Sequence, residues 1–167
     1  MFYIMLNSKD NLEYVKKVGE KVINSEEFQK ACRQKHHNNG NVGAHMIDTA
    51  YYSYMLCQKL NHIGIHTQTE ELILACLCHD LGIVDNRHVK YQTGLECIHQ
   101  HPLDSIPIAE ELLGELSPCL EDTIRTHMWP LAVNAPRYRE GVILSIIDKY
   151  CCVLETAGIL KPAAALE

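Results

Sequence analysis

Leu72-Ile73-Leu74-Ala75-Cys76-Leu77-Cys78-His79-Asp80 is the stretch that decides the fold. Seven apolar residues run without a break into an adjacent histidine and aspartate. Thr67 and Glu70 have the spacing of a capping box ahead of the run, and Gly82 follows it, so the spacing predicts a helix ending at the pair. An apolar helix of this kind is buried, and its C-terminal end carries an imidazole and a carboxylate into the interior. A carboxylate taken out of water without a partner is costly, so it needs a cation or several donors. A metal ion is the simplest cation that also uses the histidine beside it.

On the N-terminal side, His36-His37-Asn38-Asn39-Gly40-Asn41 reads as a polar loop. A helix is predicted from about Val42 to Leu60, with Val42, His45 or Met46, Thr49, Ser53, Leu56 and Leu60 facing inward. His45 lies in the second turn of that stripe. Residues 1–35 form a helical cover for the same domain: Leu12, Val15, Val18 and Val22 or Ile23 recur at helical spacing, and Ser25 can cap a short helix through Phe28 and Cys32.

On the C-terminal side, residues 83–100 are polar, hold Asp85, Arg87, His88 and Lys90, and are broken at Gly94. His99 and His101 stand two apart and cannot share a helix face. His101 is preferred as the inward one, because Pro102 suits the first turn of a helix running to Leu116. Glu110, Glu111 and Glu115 make that helix's wet side. Ser117-Pro118 reads as N-cap and first residue of a helix carrying Leu120, Ile124 and His127. The last helix, about Arg137 to Ala157, is apolar nearly all round, which predicts burial, with Asp148 in its middle and Lys149 about 100° away around the axis. The tail from Ala163 resembles a vector remnant and is left out of the fold reading, so residues 36–160 form the main domain and 161–167 a tail.

With 167 residues and 47% hydrophobic content, the chain suits one globular domain. A net charge of −6 argues against a nucleic-acid polymer as partner, but bound metal would reverse the local charge and admit a small phosphorylated compound. No stretch approaches the ~20 apolar residues that span a bilayer. Eight cysteines, with no CxxC pair and Cys57, Cys76, Cys78, Cys151 and Cys152 in apolar runs, read as reduced core thiols in a cytoplasmic protein. Tyr51, Tyr52, Tyr54 and Trp129 read as core or groove packing, with a stacking surface or a homodimer face as the other use of such aromatics. There is no Walker loop, GxSxG elbow or GxGxxG.

The set that remains is His45, His79-Asp80, His101, His127 and Asp148. In its order, and above all in His79-Asp80-Leu81-Gly82, the sequence resembles the HD-domain metal-dependent phosphohydrolase superfamily over about residues 36–155. The resemblance implies an all-α helical bundle with a buried metal site. It implies that His45, His79, Asp80 and Asp148 hold one divalent ion, and that Asp80 bridges to a second held by His101 and His127. The nitrogen and oxygen ligands favour iron or manganese, with magnesium, nickel or zinc as further candidates. One departure stands out: many members carry a lysine where this chain has Ile83, and Lys90, Arg87, Lys149, Arg137 or Arg139 are the candidates to replace it.

The implied chemistry is phosphoester hydrolysis of a small compound, a nucleotide among the candidates. Two cations sharing a carboxylate lower the pKa of a bound water from ~15.7 toward ~7 and offset charge on the phosphoryl oxygens. Asp80 and Lys149 are the candidate catalytic groups beside them. His88 or His99 would protonate the leaving oxygen, histidine titrating near ~6.5. A non-catalytic nucleotide-binding module and an oxygen-using di-iron enzyme share the same ligand order.

Overall fold

The structure, a computed structural model, describes residues 8–35, 40–85, 91–160 and 163. Among them are eight α-helices and one 3-10 turn, with no β-strand. The helices are α1 (Ser8–Val18), α2 (Glu20–Ile23), α3 (Glu26–Arg33), α4 (Val42–His62), α5 (Thr69–Cys78), α6 (Gly94–Leu113), α7 (Pro118–Thr126) and α8 (Arg139–Thr156). The 3-10 turn, Leu81–Ile83, follows α5 almost at once. The expected all-α bundle is what forms.

α5 is the central post and packs on α1, α2, α4, α6, α7 and α8. Its sequence explains this: Leu72, Ile73, Ala75, Cys76, Leu77 and Cys78 are all buried, and the small alanine and thiols let neighbouring helices come close. α4 lies along it, with Val42, His45, Met46, Thr49 and Ser53 buried as the periodicity predicts, while Leu56 and Leu60 are only half-buried. α1 packs on α4 and α5, with Val15 in the main core beside Val22 and Phe28 and Leu12 in a smaller cluster with Tyr51. Caps fix several starts: Ser25 accepts the Phe28 N–H at 3.2 Å, Asn41 the Ala44 N–H at 2.8 Å, and Ser117 the Leu120 N–H at 3.0 Å.

Four expectations need correction. α5 starts at Thr69 without a side-chain cap, because Thr67 bonds to Asn61 instead. The Gln68 N–H at its start is taken by the buried Glu140 carboxylate of α8, 2.7 Å away. α6 begins at Gly94, capped by Thr93, eight residues before Pro102, so Gly94 opens a helix and Pro102 and Pro107 lie inside it. Tertiary packing overrides the local preference of proline for a first turn. α8 is not buried all round: Val142, Ile146, Tyr150 and Val153 form an exposed apolar stripe. Finally, Ala163 of the tail is buried against Leu12 and Tyr51 and donates its N–H to Asp48 at 2.5 Å.

Tyr51 and Tyr54 are core residues, and Tyr52 meets Tyr150 edge-on with ring centroids 6.1 Å apart. All eight cysteines are free. No helix is long and apolar enough to cross a membrane among the described residues.

Candidate metal centre

All six residues singled out by the sequence come together where α4, α5, α6, α7 and α8 meet. His45 comes from the second turn of α4, His101 from the middle of α6, and Asp148 from α8. His79 and His127 are the residues that end α5 and α7. Asp80 precedes the 3-10 turn. His45, His79 and His127 are at most 1% exposed, and His101, Asp80 and Asp148 are barely more so.

The ring orientations follow from the backbone. Nδ1 of His79 lies 2.7 Å from the Cys76 carbonyl, that of His101 2.6 Å from Cys97 and that of His127 2.8 Å from Ile124. A carbonyl only accepts, so each Nδ1 carries a proton and each Nε2 is turned inward. His45 differs: its Nδ1 lies 2.9 Å from Oε1 of Glu155 and its Nε2 3.0 Å from Oδ1 of Asp148.

The inward nitrogens surround two carboxylates. Asp148 Oδ1 is 3.0 Å from His45 Nε2 and 3.6 Å from His79 Nε2. Asp80 presents Oδ2 to His79 at 3.6 Å, and Oδ1 to His101 at 3.3 Å and His127 at 3.7 Å. Asp80 thus stands between two groups, His45-His79-Asp80 and Asp80-His101-His127, within each of which the ligand atoms lie within 4.8 Å of one another.

Two observations test whether a cation fits. His79 Nε2 is fully buried and has no hydrogen-bond partner among the described residues, a cost that native interiors rarely carry. Nε2 of His101 and of His127 face each other at 2.9 Å, and as lone pairs they would repel unless a proton or a metal ion lies beside them. Without metal, protons take this part. Burial alone would lower the pKa of His45, but Asp148 and Glu155 outweigh it and hold it up to about 10. His101 is likewise lifted against burial to about 10, first by Asp80. His127 goes the other way, pushed down by burial and by His79 and His101. Burial would raise both aspartates, yet the histidines around them hold their carboxyls well below the usual range. The donor set of nitrogens and shared carboxylate fits one or two divalent ions.

Gly82 explains how the pair reaches the histidines of α6. A Cβ there would lie 2.5 Å from the His101 carbonyl oxygen and 2.8 Å from the Ser105 nitrogen, so only glycine lets the 3-10 turn lie against α6. Ser105 ties the contact: its Oγ accepts the Gly82 N–H at 2.9 Å and donates to the His79 carbonyl at 2.6 Å. Tyr91 donates to Asp104 at 2.6 Å, with the Gly82 carbonyl 3.0 Å from the same hydroxyl, and Gln34 donates to the Ile83 carbonyl at 3.0 Å.

The cluster opens into a cavity of about 560 Å³. Asp80, His101, Asp148 and Lys149 are its polar floor, and Ile83, Tyr91, Ile98, Met128 and Leu131 are among its walls. Ile83, where the sequence resemblance leads one to expect a lysine, lines the cavity. Lys149 is the one lysine or arginine among the described lining residues; its Nζ lies 3.1 Å from Asp148 Oδ2 and 2.5 Å from the His127 carbonyl. Arg137 and Arg139, the other described candidates for the lysine absent at Ile83, turn to Asp122 and the His66 carbonyl. His99 is exposed and outside the lining. His88, with Arg87 and Lys90, falls outside the described residues.

Sequence reasoning missed Glu155, Cys152 and Ser105. Glu155 and Cys152 stand seven and four residues after Asp148, on the same face of α8, and that spacing was the available signal. Ser105 had none, because its partners come from a different segment.

The chain matches no curated protein and no solved structure. The family model described as HD domain matches residues 42–151, from the first residue of α4 well into α8. With more than half of its length matched, and with the His-Asp pair lying where α4, α6, α7 and α8 converge, the chain belongs to the HD-domain family, whose superfamily is of the metal-dependent phosphohydrolase type.

Proposed function

We propose that the protein is a metal-dependent phosphohydrolase acting on a small phosphorylated compound, with nucleotides as the first class to test. The observation that carries this reading is the pair of ligand groups sharing Asp80 at the floor of a cavity. His45, His79, Asp80 and Asp148 would hold one ion, and Asp80, His101 and His127 a second, with iron or manganese favoured by the nitrogen and oxygen donors. Such ions, when bound, supply an activated water and neutralise charge on the phosphoryl group.

The chain's own groups do the rest. Asp80, with one oxygen toward each ligand group, fixes the spacing of the centre. Lys149 holds Asp148 through Oδ2, which leaves Oδ1 turned to the histidines, and its ammonium offers a further donor to a phosphoryl oxygen. The walls of Ile83, Ile98, Met128 and Leu131 keep water away and take the body of the substrate. His88, a candidate from the sequence alone, is the proposed proton donor to the leaving oxygen, since histidine titrates near ~6.5.

The test is turnover of an aryl phosphate and a panel of nucleotides by the metal-loaded chain, compared with Asp80→Ala. We expect hydrolysis that Asp80→Ala abolishes. Loaded, folded protein that turns over no phosphoester in a broad panel would end this reading.

A further inference from the structure

We propose that Cys152 is a thiolate ligand at the His45–Asp148 position, which fits that position for a soft divalent ion such as zinc, cobalt or cadmium. The inference rests on the metal-centre reading above, and it adds a sulfur to a ligand set that the sequence gives only nitrogen and oxygen.

Three atoms converge on Asp148 Oδ1: His45 Nε2 at 3.0 Å, His79 Nε2 at 3.6 Å and Cys152 Sγ at 3.8 Å. The ligand atoms of His45, Asp148 and Cys152 all lie within 4.8 Å of one another. Cys152 reaches this place because it follows Asp148 by one helical turn, and Glu155 follows on the same face to hold the other side of His45. His79 Nε2, buried and without a hydrogen-bond partner among the described residues, is aimed at the same oxygen and marks the spot independently of the thiol.

The other cysteines lack this placement. Cys97 also lines the cavity, but its Sγ lies 4.0 Å from His101 Nδ1, the nitrogen turned away from the cluster toward a carbonyl. Cys57, Cys76, Cys78, Cys119 and Cys151 are buried outside the cavity lining, and the half-buried Cys32 is outside it too. Cys152 is half-buried, lines the cavity and is reachable from solvent.

Cys152 would add one sulfur to the nitrogens of His45 and His79 and the carboxylates of Asp148 and the shared Asp80. A thiolate suits zinc, whereas manganese and magnesium gain nothing from sulfur. On binding, the S–H bond breaks, the sulfur–metal bond forms and the proton leaves to solvent, with no change in oxidation state. The position would thus accept hard ions through nitrogen and oxygen alone, and hold soft ions more tightly by recruiting the thiolate.

Cobalt titration of the metal-stripped full chain tests this. Visible bands report cobalt at the centre whatever its ligands, and a near-ultraviolet sulfur-to-cobalt charge-transfer band reports thiolate ligation. We expect both in the native chain and in Cys97→Ser, and visible bands alone in Cys152→Ser. The preference for zinc over manganese should fall in Cys152→Ser by roughly tenfold or more, the scale on which partners at a metal site act. Visible bands without charge transfer in the native chain, or a charge-transfer band that survives Cys152→Ser, overturn the thiolate and leave the centre standing. Failure of any form to bind cobalt overturns both. A second measurement needs no variant: zinc should protect Cys152 of the native chain from alkylation and manganese should not, and equal alkylation under the two ions overturns the proposal.

Discussion

His45 and His127 stand in opposite halves of the cluster and are held by different means. His127 turns Nδ1 to the Ile124 carbonyl, three residues back along its own helix, and His101 and His79 do likewise with Cys97 and Cys76. His45 turns Nδ1 to the carboxylate of Glu155, 110 residues away. A carbonyl anchor comes with the helix; it sets the tautomer but adds no charge. A carboxylate anchor sets the tautomer and also raises the basicity of the ring. The His45 half thus has Asp148 and Glu155, while the His101–His127 half has a share of Asp80 alone. The first half should hold a divalent ion more tightly than the second.

Asp80 is the group the halves share, so its loss should be the largest effect. Asp80→Ala is expected to lower phosphoester hydrolysis by on the order of 10³-fold or more, beyond the scale of losing one transition-state donor. Metal analysis should show the His101–His127 ion lost first. If Asp80→Ala keeps two ions and its activity, the two halves are not joined through this residue.

Next comes the anchor that only one half possesses. Glu155→Ala should weaken metal binding at the His45 half by roughly 10–100-fold, as outer partners of metal-bound histidines do. Binding at the other half should change little. Titration of the stripped protein with manganese reads both steps. Equal weakening of both would show that the halves are one coupled unit.

Much of this was legible in the sequence, and the reason is local. His79-Asp80 ends an apolar helix, and Ser117-Pro118 opens the one that carries His127, so near neighbours signalled their placement. Asp148 stood out as a carboxylate in an apolar run. What escaped depends on partners distant in sequence. Glu155 gains its role only through His45, and Ser105 only through Gly82 and His79. The start of α6 was misplaced because Pro102 inside a helix contradicts local preference, and packing against the 3-10 turn decides otherwise. The exposed stripe on α8 was misread because an apolar face looks the same in sequence whether or not something covers it.

The metal-free chain offers a sharper probe of the same asymmetry. His45 and His101 are both raised from 6.5 to about 10 in the folded protein. A raised histidine contributes stability that is complete below about 6.5 and is lost as pH rises through about 10. Thermal unfolding of the stripped chain should therefore fall across that window, by roughly 2–4 °C for each kcal/mol lost. Glu155→Ala should shrink the His45 part, Asp148 still holding the ring, and leave the His101 part. Metal loading should flatten the slope, since the ion takes the place of the protons. A stripped chain whose melting temperature is level from pH 6.5 to 10 would show that the carboxylates do not hold these protons.

The smallest effect concerns the half anchored by its own backbone. Ser117 Oγ accepts the Leu120 N–H at 3.0 Å and donates to Glu71 at 2.5 Å, so it fixes the start of α7 and ties it to α5. Ser117→Ala should cost about 1 kcal/mol, the usual worth of a helix N-cap. His127, however, stands at the other end of α7 and is oriented by the Ile124 carbonyl. Fraying the first turn should leave that carbonyl in place, because the last turn is packed through the buried Thr123, Ile124 and Thr126. Melting temperature should therefore drop while manganese binding at the His101–His127 half stays within about twofold, a change of less than half a kcal/mol. A tenfold loss of binding would mean that His127 depends on the whole length of α7, and that this half is no more locally determined than the one anchored by Glu155.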